Sequence, residues 1–317
     1  MGGEQNNGEQ NKGEENKGGE STRTVVVAVI ANLAIAVAKT VAALLTGSAS
    51  MWAEAAHSFA DTGNEVLLFV GLRKSTRGPD ERHPFGYGQE RYFWAFLAAL
   101  GIFLIGGTLS IGEGVRSLLV PEPLESLGIG IGVLVVAFVF ESISWYTAHK
   151  QLRQGAKETG RSMKDHLRRA SDPSATTVFL EDSAALIGLT VALVALLLHA
   201  FTGWAAWDSI GSICIGVLLI IVAILLARRS KALLLDVSAP DDVVGPIREE
   251  VSRADWVGEI HDLQAVYVGP SSLLVNVWLT PSQDGHQAAG DLVQNVGQLR
   301  SALREKPAVD QVTITVV

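Results

Sequence analysis

Six apolar segments dominate this chain, at approximately 24–46, 51–72, 92–115, 127–148, 174–200 and 206–227. Each is close to the ~20 residues that a helix needs to cross a bilayer. In hydrocarbon the backbone has no water to bond, so segments of this kind must satisfy their own N–H and C=O groups as helices. Only 18% of the residues are charged, against about 25% in a soluble domain. The linkers "TGSAS" and "FTGWAAW" are so short that spans one and two, and five and six, read as helical hairpins.

The loop charges orient these spans. Arg73, Lys74, Arg77 and Arg82 follow span two. Lys150, Arg153, Lys157, Arg161, Lys164, Arg168 and Arg169 follow span four, and Arg228, Arg229 and Lys231 follow span six. The opposite loops hold only Arg116. An excess of Lys and Arg marks the cytoplasmic side, so both termini are expected there. The net charge of −8 adds little to this local bias, and nucleic acid is not an expected partner.

Residues 1–22 are polar, Gly-rich and without apolar anchors, and read as a disordered tail. They lack the apolar core and cleavage site of a signal peptide and the Arg-rich pattern of a transit peptide. The single cysteine, Cys214, rules out an intramolecular disulfide and a thiolate cluster, and reads as a small packed residue. The small-residue runs "GIFLIGGTLSIGEG" and "GIGIGVL" lie in apolar spans and follow no strand. They point to close helix packing rather than nucleotide binding.

Span two carries the stretch "AEAAHSFADTGNE". An ionisable side chain deep in a membrane costs a few kcal/mol or more, which makes it a functional candidate by default. His57 and Asp61 are i and i+4 and share one helical face, which Glu54, Asn64 and Glu65 extend. An imidazole and a carboxylate one turn apart are half of a divalent-metal site. The imidazole argues against magnesium or calcium and toward zinc or a neighbouring transition metal. The alternative is a His–Asp hydrogen bond that locks two helices.

Span five opens at "DPSATTVFLEDSAALIG", with Asp172 as N-cap and Pro173 as first helical residue. Glu181 and Asp182 follow. At 1.5 Å per residue Asp61 lies roughly 16 Å below the outer end of span two, and Asp182 about 13 Å above the inner end of span five. In a core of about 30 Å they reach similar depth. Two such carboxylates repel unless a cation or protons sit between them. Glu141 of "FVFESISW" is a further candidate, as a ligand, a proton acceptor or a partner of Lys39. Lys39 itself is expected to snorkel to the outer interface.

After about residue 236 the pattern changes. "DDVVGPIREEVSRAD" reads as a helix, "IHDLQAVYVG" and "SLLVNVWLT" as strands, 287–305 as a helix and "DQVTITVV" as a last strand. The fold class expected is thus an α-helical membrane protein with six transmembrane helices and a small cytoplasmic α/β domain of α-β-β-α-β, ferredoxin-like order. The expected divisions are a tail at 1–22, a transmembrane domain at 23–230 and the α/β domain at 231–317.

Three stretches carry a resemblance to the cation diffusion facilitator family of metal/proton antiporters. They are "GSASMWAEAAHSFADTGNEVL", "DERHPFGYGQERY" and "DSAALIGL". "PLESLGIGIGVLVVAFVFES" and "RRASDPSATTVFLEDSAALIGL" are most similar to its zinc transporter nine branch, which is also found in bacteria. The resemblance implies a proton-coupled exporter of a divalent cation, Zn²⁺ above all, acting as a homodimer. It implies residence in the plasma (inner) membrane of a prokaryote. It also implies a tetrahedral site with one i, i+4 pair from each of helices two and five. His57 and Asp61 match the first pair and Asp182 the second member of the other. The first member falls on Val178, which cannot bind metal, so the fourth ligand is open between Glu181, Glu141 and water. Glu181 stands about 100° round the helix from Asp182 and needs a rotated helix to reach. Glu54 toward the outside and Glu65 and Asn64 toward the inside bracket the ion path.

The same resemblance implies a second site in the loop after helix two, where Asp80 and His83 match two ligands and Tyr87 stands for a further His. The competing reading is a structural turn. His261 matches one position of the family's cytoplasmic zinc cluster, but Trp278 and a His-free last strand occupy its partners' places, so His261 and His286 read as surface or turn residues. Zinc enters these expectations as transported substrate, with no resident cofactor. Val178 keeps a second class open, a non-transporting metal-sensing scaffold. No nucleophile–base pair or nucleotide motif supports an enzyme.

Overall fold

The computed structural model describes residues 29–121, 123–158, 160, 162–169, 173–270, 272–282 and 289–317. The 1–22 segment, Asp172 and His286 lie outside these residues. The chain forms two compact units. One takes the described residues up to Val70 with Ala95–Gln151 and Thr177–Ala227, and the other takes Gly71–Trp94, Leu152–Thr176 and Arg228–Val317.

The long helices are α1 (Val29–Thr46), α2 (Ala49–Ser75), α3 (Glu90–Leu119) and α4 (Leu127–Glu158). A short α5 (Met163–Arg169) precedes α6 (Pro173–Thr202) and α7 (Ala206–Leu234). Five of them, α1, α3, α4, α6 and α7, are long and apolar enough to cross a membrane among the described residues. Helix α2 is long enough at 27 residues, but Glu54, Asp61 and Glu65 interrupt its apolar run. Val135, Val136, Val139 and Ile143 of α4 are exposed, as an apolar face turned toward hydrocarbon requires.

The two hairpin turns follow from glycine. Gly47 and Gly203 have φ of +65° and +69°, and their N–H groups bond the carbonyls of Ala43 and His199 at 2.9 and 2.8 Å. Each closes a helix in the left-handed conformation that only glycine adopts freely. The small-residue run of α3 packs as its composition demands. A Cβ on Gly216 of α7 would lie 2.8 Å from the carbonyl oxygen of Gly107, and one on Gly114 would lie 2.8 Å from that of Ser209. Helices α3 and α7 therefore meet backbone to backbone. Residues Ile102–Gly107 of α3 form a π-helical turn, which presents Gly106 and Gly107 to α7. Cys214 is exposed rather than packed, because the glycine face of α7 takes the interior.

Two buried polar links fix α2. At its N-terminus, Asp208 of α7 accepts the Ser48 hydroxyl at 2.7 Å and the Ala49 N–H at 2.5 Å. It also accepts the Ser50 N–H at 3.3 Å and the Ser50 hydroxyl. Free N–H groups and the helix dipole make a helix start a site for an anion. Here the cap comes from a residue about 160 positions away in sequence. Six residues further along α2, Glu54 is paired with Lys39 of α1 at 2.9 Å, and Lys39 also donates to Ser58 at 2.8 Å. Both charges are 0% exposed. Lys39 thus neither snorkels outward nor pairs with Glu141. A fully buried carboxylate at Glu54 attracts the cation that burial would otherwise leave alone.

In the second unit α8 (Asp241–Ser252) precedes β1 (Val257–Gly269) and β2 (Ser272–Pro281). Helix α9 (Ala289–Arg304) and β3 (Val309–Val316) follow, which is the α-β-β-α-β order expected. The sheet order is β1-β2-β3, antiparallel in the first pair and parallel in the second. Strand β2 alternates strictly and buries Leu273, Val275, Val277 and Leu279, which pack with Ile247 and Val251 of α8 and Leu299 and Leu303 of α9. A β2–α9–β3 crossover is what allows β3 to lie parallel to β2.

Two stability outcomes follow. Asp208→Ala should remove about 2 kcal/mol, the upper value for a helix cap, and lower the unfolding midpoint of the detergent-solubilised protein by several degrees. Lys39→Met should be more severe, about 3–5 kcal/mol, since it leaves Glu54 buried and unpaired. The double variant Lys39→Met with Glu54→Gln should recover most of that loss. Equal midpoints for the single and double variants would exclude the pair as the cause.

Candidate cation site

Four helices of the first unit enclose a cavity of about 150 Å³. Helix α1 contributes Ala31, Asn32 and Ile35, and α2 contributes Ser58, Asp61 and Glu65. Helix α4 contributes Phe140, Glu141 and Ser144, and α6 contributes Val178, Glu181 and Asp182. Asp61 and Asp182, expected at one depth, line this one space. Glu181 and Glu141, the two side chains considered for the fourth position, line it too. Five carboxylates on one small cavity repel each other, and a cation or protons between them relieve that repulsion.

The way each carboxylate is held sorts them. Asn64 donates from Nδ2 to Glu181 Oε2 at 2.6 Å. Asn32 donates to Glu65 Oε1 at 2.7 Å, and Ser144 to Asp182 Oδ2 at 2.7 Å. These donors are neutral, so they orient a carboxylate and leave its charge for another partner. Glu54 differs, because its partner is the Lys39 ammonium and it does not line the cavity. Second oxygens remain free: Asp61 Oδ1, Glu65 Oε2 and Glu181 Oε1 are buried without a hydrogen-bond partner.

His57 is buried, with Nδ1 3.3 Å from Asp61 Oδ2, so the i, i+4 pair does share a face. The contact lacks hydrogen-bond alignment, and neither ring nitrogen has a partner. The ring lies beside the cavity rather than on its wall. Among the described residues no three His, Cys, Asp or Glu side chains stand close enough together to hold one metal ion. A shared cation therefore requires side-chain rotation about this cavity.

Helix α6 brings both of its adjacent carboxylates to the cavity. Glu181, rather than Asp182, points at α2, and Asp182 is directed to Ser144 of α4. Asn32 and Ser144 were missed in the sequence. Their signal was there, as polar residues inside apolar runs, but neither can be tied to a carboxylate without knowing which helices are neighbours. Next to Asp182 in sequence, Ser183 accepts from Trp145 at 2.9 Å, whose ring stacks on His149 at 5.1 Å.

The loop after α2 is a closed turn. Asp80 Oδ1 accepts the N–H groups of Arg82 and His83 at 2.9 and 2.7 Å, and Oδ2 accepts the Tyr87 hydroxyl at 2.7 Å. The His83 ring packs against Tyr87 with centroids 4.0 Å apart. The Tyr87 hydroxyl and the His83 N–H hold the Asp80 carboxyl below the usual range, and Asp80 in turn raises the Tyr87 phenol. In the second unit, His261 is exposed and bonded to Thr280 at 2.5 Å.

Comparison with known proteins bears on what such a cavity serves. The cation efflux transmembrane domain matches residues 25–235. Over 231 residues the chain is 36% identical to the mitochondrial proton-coupled zinc antiporter SLC30A9 of Homo sapiens, covering 73% of this chain and 41% of that protein. It is 34% identical over 220 residues to metal tolerance protein C4 of Arabidopsis thaliana, covering 69% and 48%. It is 26% identical over 230 residues to the cation-efflux pump FieF of Escherichia fergusonii, covering 72% and 71%. The match spans less than half the length of the first two relatives. With a domain match over residues 25–235, about two-thirds of its length, the chain belongs to the cation efflux family, the cation diffusion facilitators.

Proposed function

We propose that this chain is a proton-coupled secondary transporter that exports a divalent transition metal cation, Zn²⁺ foremost, from the cytoplasm. The observation that carries this reading is the four-helix cavity on which Asp61 of α2 and Asp182 of α6 both lie. The relative named as a proton-coupled zinc antiporter supports the choice of zinc and protons. Asp61 and Asp182 hold the cation, His57 joins by turning its ring from Asp61, and Glu181 or Glu141 supplies the fourth donor. A ligating imidazole must be neutral and ligating carboxylates ionised, so cation binding expels protons and protonation expels the cation.

Helix α2 crosses as the sixth span, its polar stripe turned from lipid by the partners on α1, α6 and α7. The Lys and Arg excess after spans two, four and six puts both termini in the cytoplasm. The cavity then lies nearer that side, because its α1 and α6 residues belong to the first halves of those helices. Glu65 and Asn64 stand on the inner side of Asp61, and Glu54, locked by Lys39, closes the outer side. The chain divides into a tail at 1–22, a transport domain at 23–230 and a cytoplasmic domain at 231–317. The last of these dimerises the protein without zinc, since Trp278 replaces a ligand and His261 is already engaged by Thr280.

Zn²⁺-driven proton flux in proteoliposomes tests the site. Asp61→Ala and Asp182→Ala should each lower it by about 100-fold or more, and undiminished flux in both would remove these residues from the site. A wild type that binds Zn²⁺ at equilibrium but drives no flux would instead identify a metal-sensing scaffold. For the dimer, sedimentation of the full chain in detergent should give the same mass with and without a chelator. Dissociation on chelation would reverse the assignment.

A further inference from the structure

Val178 leaves a four-donor site one side chain short, and Glu141 and Glu181 both reach the same cavity. The two are not equivalent. Glu181 is 7% exposed, and its Oε2 is fixed by Asn64 at 2.6 Å while its Oε1 is buried without a partner. Asn64 is 2% exposed and three residues beyond Asp61, on the same face of α2. This one bond therefore ties the turn of α2 that carries Asp61 to the turn of α6 that carries Asp182. Among the described residues nothing comparable orients Glu141.

We propose that Glu181, held by Asn64, takes the place of the missing ligand at Val178, which makes the donor set three carboxylates and one imidazole. The proposal rests on reading the cavity as a cation site. Asn64 acts as a positioning residue: its amide takes up one carboxylate oxygen and aims the other at the cavity, which lowers the ordering that binding must impose. The change of donor has a chemical consequence. Imidazole suits Zn²⁺, whereas carboxylate suits harder cations such as Mn²⁺. Replacing one nitrogen by an oxygen narrows the preference for Zn²⁺ over Mn²⁺, so the substrate class widens to include Mn²⁺.

Initial rates of Zn²⁺ and Mn²⁺ uptake into proteoliposomes, with the full chain, test this. Glu181→Gln preserves shape and can still accept from Asn64, and should raise KM for both cations about tenfold. Glu181→His should raise the Zn²⁺ to Mn²⁺ rate ratio about tenfold. Asn64→Ala should raise KM severalfold with kcat within about twofold, a split that general loosening of the bundle would not produce. Wild-type KM and an unchanged ratio in both Glu181 variants would overturn the proposal, as would a tenfold KM loss in Glu141→Gln in their place. Should wild type move neither cation, the transport reading fails separately. Calorimetric titration of Zn²⁺ into the same variants in detergent then decides the ligand, with weaker binding in Glu181→Gln supporting it and unchanged binding overturning it. That titration also serves if one variant does not fold, since Glu181→His alone must then bind Zn²⁺ more tightly than wild type or the proposal falls.

Discussion

Helix α2 buries polar groups among apolar side chains that offer them no hydrogen bonds, so their partners must come from other helices. Asp208 of α7 holds its first turn, Lys39 of α1 neutralises Glu54, Asn32 of α1 holds Glu65, and Glu181 of α6 accepts from Asn64. The most polar of the long helices in the first unit thereby becomes the one to which α1, α6 and α7 are all tied. Burial of its polar face is a consequence of those ties.

The partners also separate support from chemistry. A lysine beside a carboxylate cancels its charge, and that pair belongs to the frame. An amide or a hydroxyl orients a carboxyl group and brings no opposite charge, as at Glu65, Glu181 and Asp182. At the cation site proposed above, such pre-orientation narrows the rearrangement needed, although His57 still has to turn toward the cavity. The glycine-mediated contact of α3 with α7 brings the two backbones together and adds hydrogen bonds from Ser209 to Ser117 and from Ser212 to the Ser110 carbonyl.

Much of this was legible in the chain itself. The apolar runs mark out the long helices, Gly47 and Gly203 sit where the hairpins turn, and β2 alternates as a half-buried strand must. The i, i+4 spacing of His57 and Asp61 put them on one face, and counting residues brought Asp61 and Asp182 to one depth. What escaped was rotation and neighbourhood. Periodicity says which residues share a face of α6, but not which helix that face meets. Glu181 therefore stays one of three options for the fourth ligand, and Lys39 reads as an interface residue although a carboxylate of α2 stands within 3 Å of its ammonium.

Residue by residue, then, the sequence by itself determined the long helices, the small α/β unit and the identity of the candidate donors. These are set by local rules of hydropathy, spacing and backbone freedom, which need no knowledge of distant residues. Only the tertiary structure decided that Asp208 caps α2, that Lys39 belongs to Glu54, and that Glu181 faces α2 while Asp182 faces α4. Each is a pairing between segments remote in sequence, and its outcome depends on how packed helices rotate to satisfy every buried polar group together.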